Sequence, residues 1–246
     1  MTLDDILAGL FPNGHDIEAI GSIVAGRATL PDGGLIHLLG ITRGRPLGAN
    51  EAIVLAGRVI DIVKSGDRAP ILVLVDSASQ RMSKRDELLG LNEYLSHLAK
   101  ALLLAEAEGH RTVGLLYGGS AAGAFIATAL ATGTLVALPG AHPAVMDLPS
   151  MARVTKLSID VLKAKAEATP VFAPGLDNMV QTGGIHVVWD ETSPLAPQLA
   201  AVLERPAGQD DRGRLGAERG GRRKAAEIAD RVVALAAVAQ QGAQHG

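Results

Sequence analysis

Apolar residues along the chain fall into short dense runs, separated by longer segments in which they recur every three or four positions. The run APILVLVD (69–76) is almost wholly apolar and rich in branched side chains, the pattern of a strand buried on both faces of a sheet. RTVGLLYGG (111–119) is a second such run, and TLVALPGAHPAVMD (134–147) reads as strand, turn, strand. ANEAIVLAGRVIDIVKSG (49–66) and LNEYLSHLAKALLLAEAEG (91–109) carry helical spacing, and each stops at a glycine. Before them, SIVAGRATL (22–30) and LIHLLGI (35–41) flank PDGG and predict a β-hairpin. TRGRPLG (42–48) and SASQRMSKRDELLG (77–90) read as polar loops, and SAAGAFIATALATG (120–133) as a helix of small residues. Residues 149–170 read as mostly helical, and 171–191 as turns around one strand near Ile185–Trp189. Strand followed by helix, repeated, favours a mostly parallel α/β sheet.

The tail has another texture. PAGQDDRGRLGAERGG (206–221) is rich in glycine and charge and is expected to be a flexible linker. RRKAAEIADRVVALAAVAQQ (222–241) is an amphipathic helix whose Ile228, Val232, Val233 and Leu235 call for a covering surface. The expected organisation is a domain over 1–205, a linker over 206–221 and a C-terminal helix over 222–246.

Composition narrows the chemistry. Apolar residues make up 48% of the 246 positions but aromatics only 2%, so the core must be built from Ala, Val, Leu and Ile. A net charge of −3 gives no general reason to bind nucleic acid or an anionic membrane. The absence of cysteine excludes disulfides, thiolate metal sites and a cysteine nucleophile. The opening MTLDDILAGLF lacks a basic region leading into an apolar stretch, and no apolar run is long enough to span a bilayer. A cytoplasmic location without membrane contact is therefore expected.

One stretch, LLYGGSAAGAF (115–125), has the order strand, glycine turn, helix, which is the local geometry of an anion site. It is not a Walker loop: Gly118 and Gly123 have the spacing, but Ala124 and Phe125 replace the lysine and hydroxyl. It is not a dinucleotide fingerprint either, because Ser120 breaks the second glycine and residues 136–145 hold no acid. A nucleophile elbow around Ser120 fails at Ala122, where a glycine is needed. Two readings remain. Backbone amides at the turn can hold a negative charge that develops only during a reaction. Alternatively, the small residues are packing spacers.

Other candidates are weaker. The histidines at 15, 37, 97, 110, 142, 186 and 245 form no metal-ligand spacing. His142 and Asp147 follow the third strand and are placed to face a pocket or to serve a turn. Arg43 and Arg45, and the group Arg81, Lys84 and Arg85, suit either solvated loops or contact with an anionic partner. Arg222, Arg223 and Lys224 open a helix, where positive charge is slightly unfavourable and points to a partner contact.

The strand ILVLVD, the loop SASQ, the strand TVGLLYGG with its small-residue helix, and TLVAL leading into PGAHPAVMD together resemble the carboxyltransferase domains of the crotonase superfamily. The resemblance covers roughly residues 20–190, and the RRK helix fits it as well. More narrowly, the short chain is similar to the gamma subunits of malonate decarboxylases. The resemblance implies a crotonase-like fold, shared with Clp-type peptidases, of repeated ββα units in a superhelix with a C-terminal helix. Asp76 and Ser77 match the family's first loop, and Ser79 and Gln80 occupy its Gly-Phe positions. Ala122–Phe125 lie over Gly-Gly-Ala-Tyr, so the amide of Ala122, with Gly123 beside it, falls on the oxyanion donor. Gly119 belongs to the strand exit that aims this backbone, and Ser120 stands next to it as a proton handler, alongside Tyr117 or a water. A Clp-type nucleophile would fall on Ala121, which has no hydroxyl, and this argues against a peptidase.

The resemblance further implies decarboxylation of a malonyl thioester. The prosthetic group is carried on an acyl carrier protein rather than bound by this chain. A beta subunit is the implied partner, with the active site between the two subunits. Carboxyl transfer to biotin and a non-catalytic structural half are the alternatives.

Overall fold

In the computed structural model, which describes residues 1–170, 173–205 and 210–243, the ILVLV run forms the centre of a seven-stranded sheet. The strands are β1 (Glu18–Ile20), β2 (Ile23–Thr29), β3 (Leu35–Leu47), β4 (Ile71–Gln80), β5 (Thr112–Leu116), β7 (Thr134–Ala137) and β9 (Val187–Val188), in that spatial order. β1, β2 and β3 pair antiparallel, and β3 through β9 pair parallel. A separate parallel ribbon pairs β6 (Gly119–Ala121) with β8 (His142–Ala144).

Alternation along the strands divides the core in two. Ile71, Val73 and Val75 face α2 (Ala49–Ser65), α4 (Leu91–Ala107) and α5 (Ala122–Ala127). Leu72 and Leu74 face α1 (Leu3–Leu10) and α9 (Leu195–Leu203). All five side chains are essentially excluded from solvent. Burying a Val, Leu or Ile is worth about 1.5–3 kcal/mol relative to leaving it exposed, so this one strand anchors both layers. Gly66 closes α2 in the left-handed region at φ 74°, as its position predicts.

Several expectations change. β3 continues through TRGRPL as strand, where a loop was expected; the bend is taken up by register shifts and by Arg43 and Gly44 at φ 65° and 59°. β4 likewise runs on to Gln80, and the following loop holds α3 (Lys84–Leu88). The helix expected over 120–133 is only Ala122–Ala127. Beyond it, Thr128 and Thr132 turn their hydroxyls onto the carbonyls of Ala124 and Ala129, each at 2.7 Å. The helical segment 149–170 resolves into α6 (Leu148–Thr155) and α7 (Ile159–Ala168), with α8 (Leu176–Gln181) after them.

The segment expected to be a linker is helical in part. Its first part, 206–209, lies outside the described residues, as do the last three residues of the expected terminal helix. The rest carries α10 (Arg212–Glu218), ahead of α11 (Arg223–Ala243). α10 is pinned to the turns that precede β7 and β9. The Arg212 guanidinium donates to the carbonyls of Leu130 and Thr132, and Arg219 donates to those of Val180, Ile185 and His186. A side chain at Gly183, which sits at φ 83°, would overlap the Arg212 carbonyl, so glycine there lets the two backbones meet.

His186 completes the clamp. Its Nδ1 accepts the Leu135 N–H at 3.0 Å, and its Nε2 faces Asp211 at 3.2 Å. Nδ1 is therefore bare and Nε2 carries the proton. Burial, then the Arg212 guanidinium, with a smaller push from Arg205, hold its pKa below the usual histidine value against the opposing pull of Asp211. Between that lowered value and the ordinary ~6.5 the unfolded chain binds more protons, so stability rises with pH there and is lost as pH falls through the folded pKa. We expect the wild-type melting temperature to drop on acidification below about pH 6.5. His186→Gln keeps a donor and an acceptor but does not titrate, and should flatten that profile in a thermal melt series. Equal slopes in both proteins would show that His186 is not the source.

Candidate active site

The parallel strands all end at one edge of the sheet, where α/β folds assemble their sites. β4 ends there as Asp76-Ser77-Ala78-Ser79-Gln80, and β5 ends beside it before Tyr117-Gly118. Asp76 turns its carboxylate sideways: one oxygen accepts the Gly44 N–H and the other the Gly119 N–H, each at 3.1 Å. This ties the β3 bend to β6. There is no room for a side chain at Gly118, where a Cβ would overlap that carboxylate.

Ser120, next along β6, points inward. Its hydroxyl meets the Ser77 hydroxyl at 2.8 Å, and both residues are almost fully buried. Among the described residues no histidine or carboxylate hydrogen-bonds to Ser120, so none of them serves as the base that a nucleophile requires. Ala122 then adopts a left-handed conformation at φ 49°, uncommon for a residue with a Cβ, and turns the chain from β6 into α5. The next amide, Gly123 N–H, donates to Gln80 Oε1 at 2.9 Å.

The structure thus brings together the residues singled out from the two sequence motifs. Gln80 touches Gly123, and Gly119, Ser120 and Ala122 follow one another through the turn. Ser79 stands at the rim, its hydroxyl donating to the Gln80 carbonyl at 3.1 Å. The Gly123 amide is occupied by the chain's own Gln80 side chain.

His142 and Asp147 part company. His142 opens β8 directly opposite Gly119 and is exposed, with Nδ1 3.3 Å from the Gly140 carbonyl. Asp147 caps α6 by accepting the Ser150 N–H at 2.7 Å, and the Ser150 hydrogen bonds hold its carboxyl below the usual carboxylate range. Tyr117 is half-buried; burial, and then the charge of Asp76, push its phenol well above its ordinary pKa.

The basic loops also divide. Arg81 pairs with Glu51 at 2.5 Å, and Arg85 donates to Asn50 at 3.3 Å, so both serve the start of α2. Arg43 and Arg45 are exposed and have no ion-pair partner among the described residues. The two described cavities lie elsewhere. One, of about 290 Å³, includes Arg27, His37 and Arg58; the other, of about 570 Å³, includes Met146, Met151 and Arg222. Among the described residues no group of histidine and carboxylate side chains suits a metal ion, and no helix is long and apolar enough to cross a membrane.

Sequence reading missed Asp76 as a backbone clamp, the Ser77–Ser120 pair, and Gln80 as a ligand of Gly123. The signal available for Asp76 was a lone acid closing an apolar run beside a glycine turn.

Comparison with known proteins agrees with this architecture. A family model described as the malonate decarboxylase gamma subunit matches residues 42–236, which include both motifs, α10 and the apolar face of α11. The malonyl-S-ACP:biotin-protein carboxyltransferase MADD of Malonomonas rubra is 31% identical over 173 residues, 65% of this chain. The match spans 59% of the length of that curated relative. One chain of a Pseudomonas malonate decarboxylase hetero-tetramer, crystallised with coenzyme A, superimposes with a TM-score of 0.76 at 25% identity, covering 92% of this chain and 96% of that one. A transcarboxylase 12S chain shares the fold at a TM-score of 0.66 and 17% identity, over 83% of this chain and 43% of that one. The fold is thus the crotonase-like one of carboxyltransferases, and the chain belongs to the malonate decarboxylase gamma subunit family.

Proposed function

We propose that this chain acts with a beta subunit to decarboxylate a malonyl group carried as a thioester on an acyl carrier protein. The observation that carries the reading is the junction of Gln80 with Gly123 at the carboxyl edge of the sheet, in a chain of this family. The thioester prosthetic group belongs to the carrier and not to this chain. Support for a partner comes from the Pseudomonas relatives, which were crystallised as hetero-tetramers. It also comes from α11, whose Ile228, Val232, Val233 and Leu235 are all at least 59% exposed.

Loss of CO2 leaves an enolate whose charge sits on the thioester oxygen. Amides at the Ala122–Gly123 turn and at Ser79–Gln80 stabilise that oxygen more in the transition state than in the substrate, which is the requirement for catalysis. The resting Gly123 amide must first give up Gln80. A neutral hydrogen bond is worth about 1 kcal/mol net, whereas a donor to a developing oxyanion is worth about 3–4 kcal/mol. The exchange of one oxygen for another is therefore favourable once charge develops. Gln80 keeps the amide satisfied in the absence of substrate.

The test is co-purification of the complex, identified by mass spectrometry, followed by assay on malonyl-carrier protein with and without avidin. Avidin-insensitive formation of acetyl-carrier protein is expected. The name of the Malonomonas relative favours a second reading, carboxyl transfer to biotin; avidin-sensitive turnover would establish it instead. Absence of any turnover would leave the structural-half alternative.

Within the active complex, Gly123→Val is expected to lower turnover about 100-fold, the scale of one oxyanion donor. Even a bare Cβ there would stand 3.0 Å from Leu95 Cδ1 and 3.3 Å from Gln80 Oε1. Assembly, read by gel filtration, should be retained. Unchanged turnover would remove the turn from the mechanism.

A further inference from the structure

An enolate left by decarboxylation needs a proton at carbon, and the residues around the turn differ sharply in their ability to supply one. Ser120 is buried and its hydroxyl is engaged with Ser77. An aliphatic hydroxyl in that setting has no base or acid to exchange with. The Tyr117 phenol is driven by burial and by Asp76 toward holding its proton. His142 is different. It is exposed, it starts the strand that pairs with β6, and its ring lies against Gly119.

The local geometry gives that ring a direction. Along β6 the side chains alternate, so Ser120 points inward while Gly119 and Ala121 share the opposite face. A Cβ on Gly119 would lie 2.7 Å from His142 Nε2 and 2.9 Å from the Ser77 carbonyl oxygen. Glycine at 119 thus leaves the space that the ring fills. The Gly140 carbonyl can only accept, so Nδ1, 3.3 Å from it, carries the hydrogen. Nε2 is left outside that contact, on the face of β6 that continues through Ala121 into the Ala122–Gly123 turn.

We propose that His142 is the general acid of the reaction, delivering the Nε2 proton to the enolate carbon directly or through one water. The inference rests on the decarboxylase reading above. The pair of electrons from the broken C–CO2 bond forms the enolate. The α-carbon then takes the proton from the imidazolium, giving the acetyl thioester and neutral imidazole. Solvent reprotonates the exposed ring. The ionisable groups beside Gly119 are Asp76 on β4, which holds the Gly119 amide, and Tyr117 ahead of Gly118. Arg43 lies on the bend that Asp76 also holds, and Asp147 beyond β8 is engaged with Ser150.

The experiment uses the reconstituted complex with malonyl-carrier protein and compares wild type with His142→Gln over a range of pH. Wild-type kcat should fall as pH rises and the imidazolium is lost. The variant should lose about 100-fold in kcat, within the usual range for a general acid, with KM changed less than about twofold. It should also lack that alkaline limb, and free imidazole should restore part of the rate. Should His142→Gln fail to assemble, His142→Asn is read in the same way. Retention of the wild-type kcat overturns the assignment. So does a loss that appears in KM with the alkaline limb kept, because that marks a positioning role. A wild-type complex without malonyl-thioester decarboxylation overturns the proposed function and this role with it; an active wild type with an unaltered variant overturns this role alone.

Discussion

Asp76 follows the buried run Ile71–Val75 of β4, and its carboxylate joins β3 and β6, which no ladder connects. One oxygen takes the amide of Gly44, from the bend in β3, and the other that of Gly119, from the separate β6 ribbon. Hydrogen bonds to a charged acceptor are worth about 1.5–3 kcal/mol each, against about 1 kcal/mol for a neutral pair such as Ser77 with Ser120. The carboxylate is therefore a stronger side-chain tie on β6 than the hydroxyl pair, beside the backbone ladder that joins β6 to β8. Everything at the candidate site follows in sequence from that placement. Gly119 sets the ring of His142, Ser120 seats inward, Ala122 turns the chain, and Gly123 arrives at Gln80.

The sheet was legible because its signal is periodicity. Runs such as Ile71–Val75 have no polar position to lose, and glycines close α2 and α4 where the apolar spacing ends. The failures have equally specific causes. The helix expected over 120–133 was read from small residues, which carry little periodicity, and Thr128 and Thr132 compete for the backbone with their own hydroxyls. The strand extension through TRGRPL depends on register shifts against β4, which no local pattern encodes. The clamp on α10 was invisible for a different reason. A glycine-rich charged segment reads the same whether its arginines face water or, as Arg212 and Arg219 do, the carbonyls of distant turns.

The candidate site was legible in part. The motif at 118–125 was recognisable as a turn presenting amides, and family resemblance singled out Gln80. The contact between them spans 43 residues of sequence, and so does the one between Asp76 and Gly119. Neither contact has a local signature. The sequence also favoured Ser120 as the polar group of interest, because a serine beside glycines is conspicuous. Its burial against Ser77 shows why conspicuous chemistry and available chemistry differ: a hydroxyl satisfied inside the fold is part of the scaffold.

The same distinction separates the two kinds of polar group at this edge of the sheet. Asp76, Ser77 and Ser120 spend their hydrogen bonds on one another and on the backbone, so they hold shape. The Gly123 amide and the His142 Nε2 are committed differently: the first to the Gln80 side-chain oxygen, the second to no hydrogen-bond partner among the described residues. A reaction that creates charge and then quenches it with a proton needs one group of each kind, an amide that exchanges its oxygen and a nitrogen that exchanges its proton. Both sit beside a turn whose backbone Asp76 ties through the Gly44 and Gly119 amides, so the two proposed exchanges would take place at defined positions.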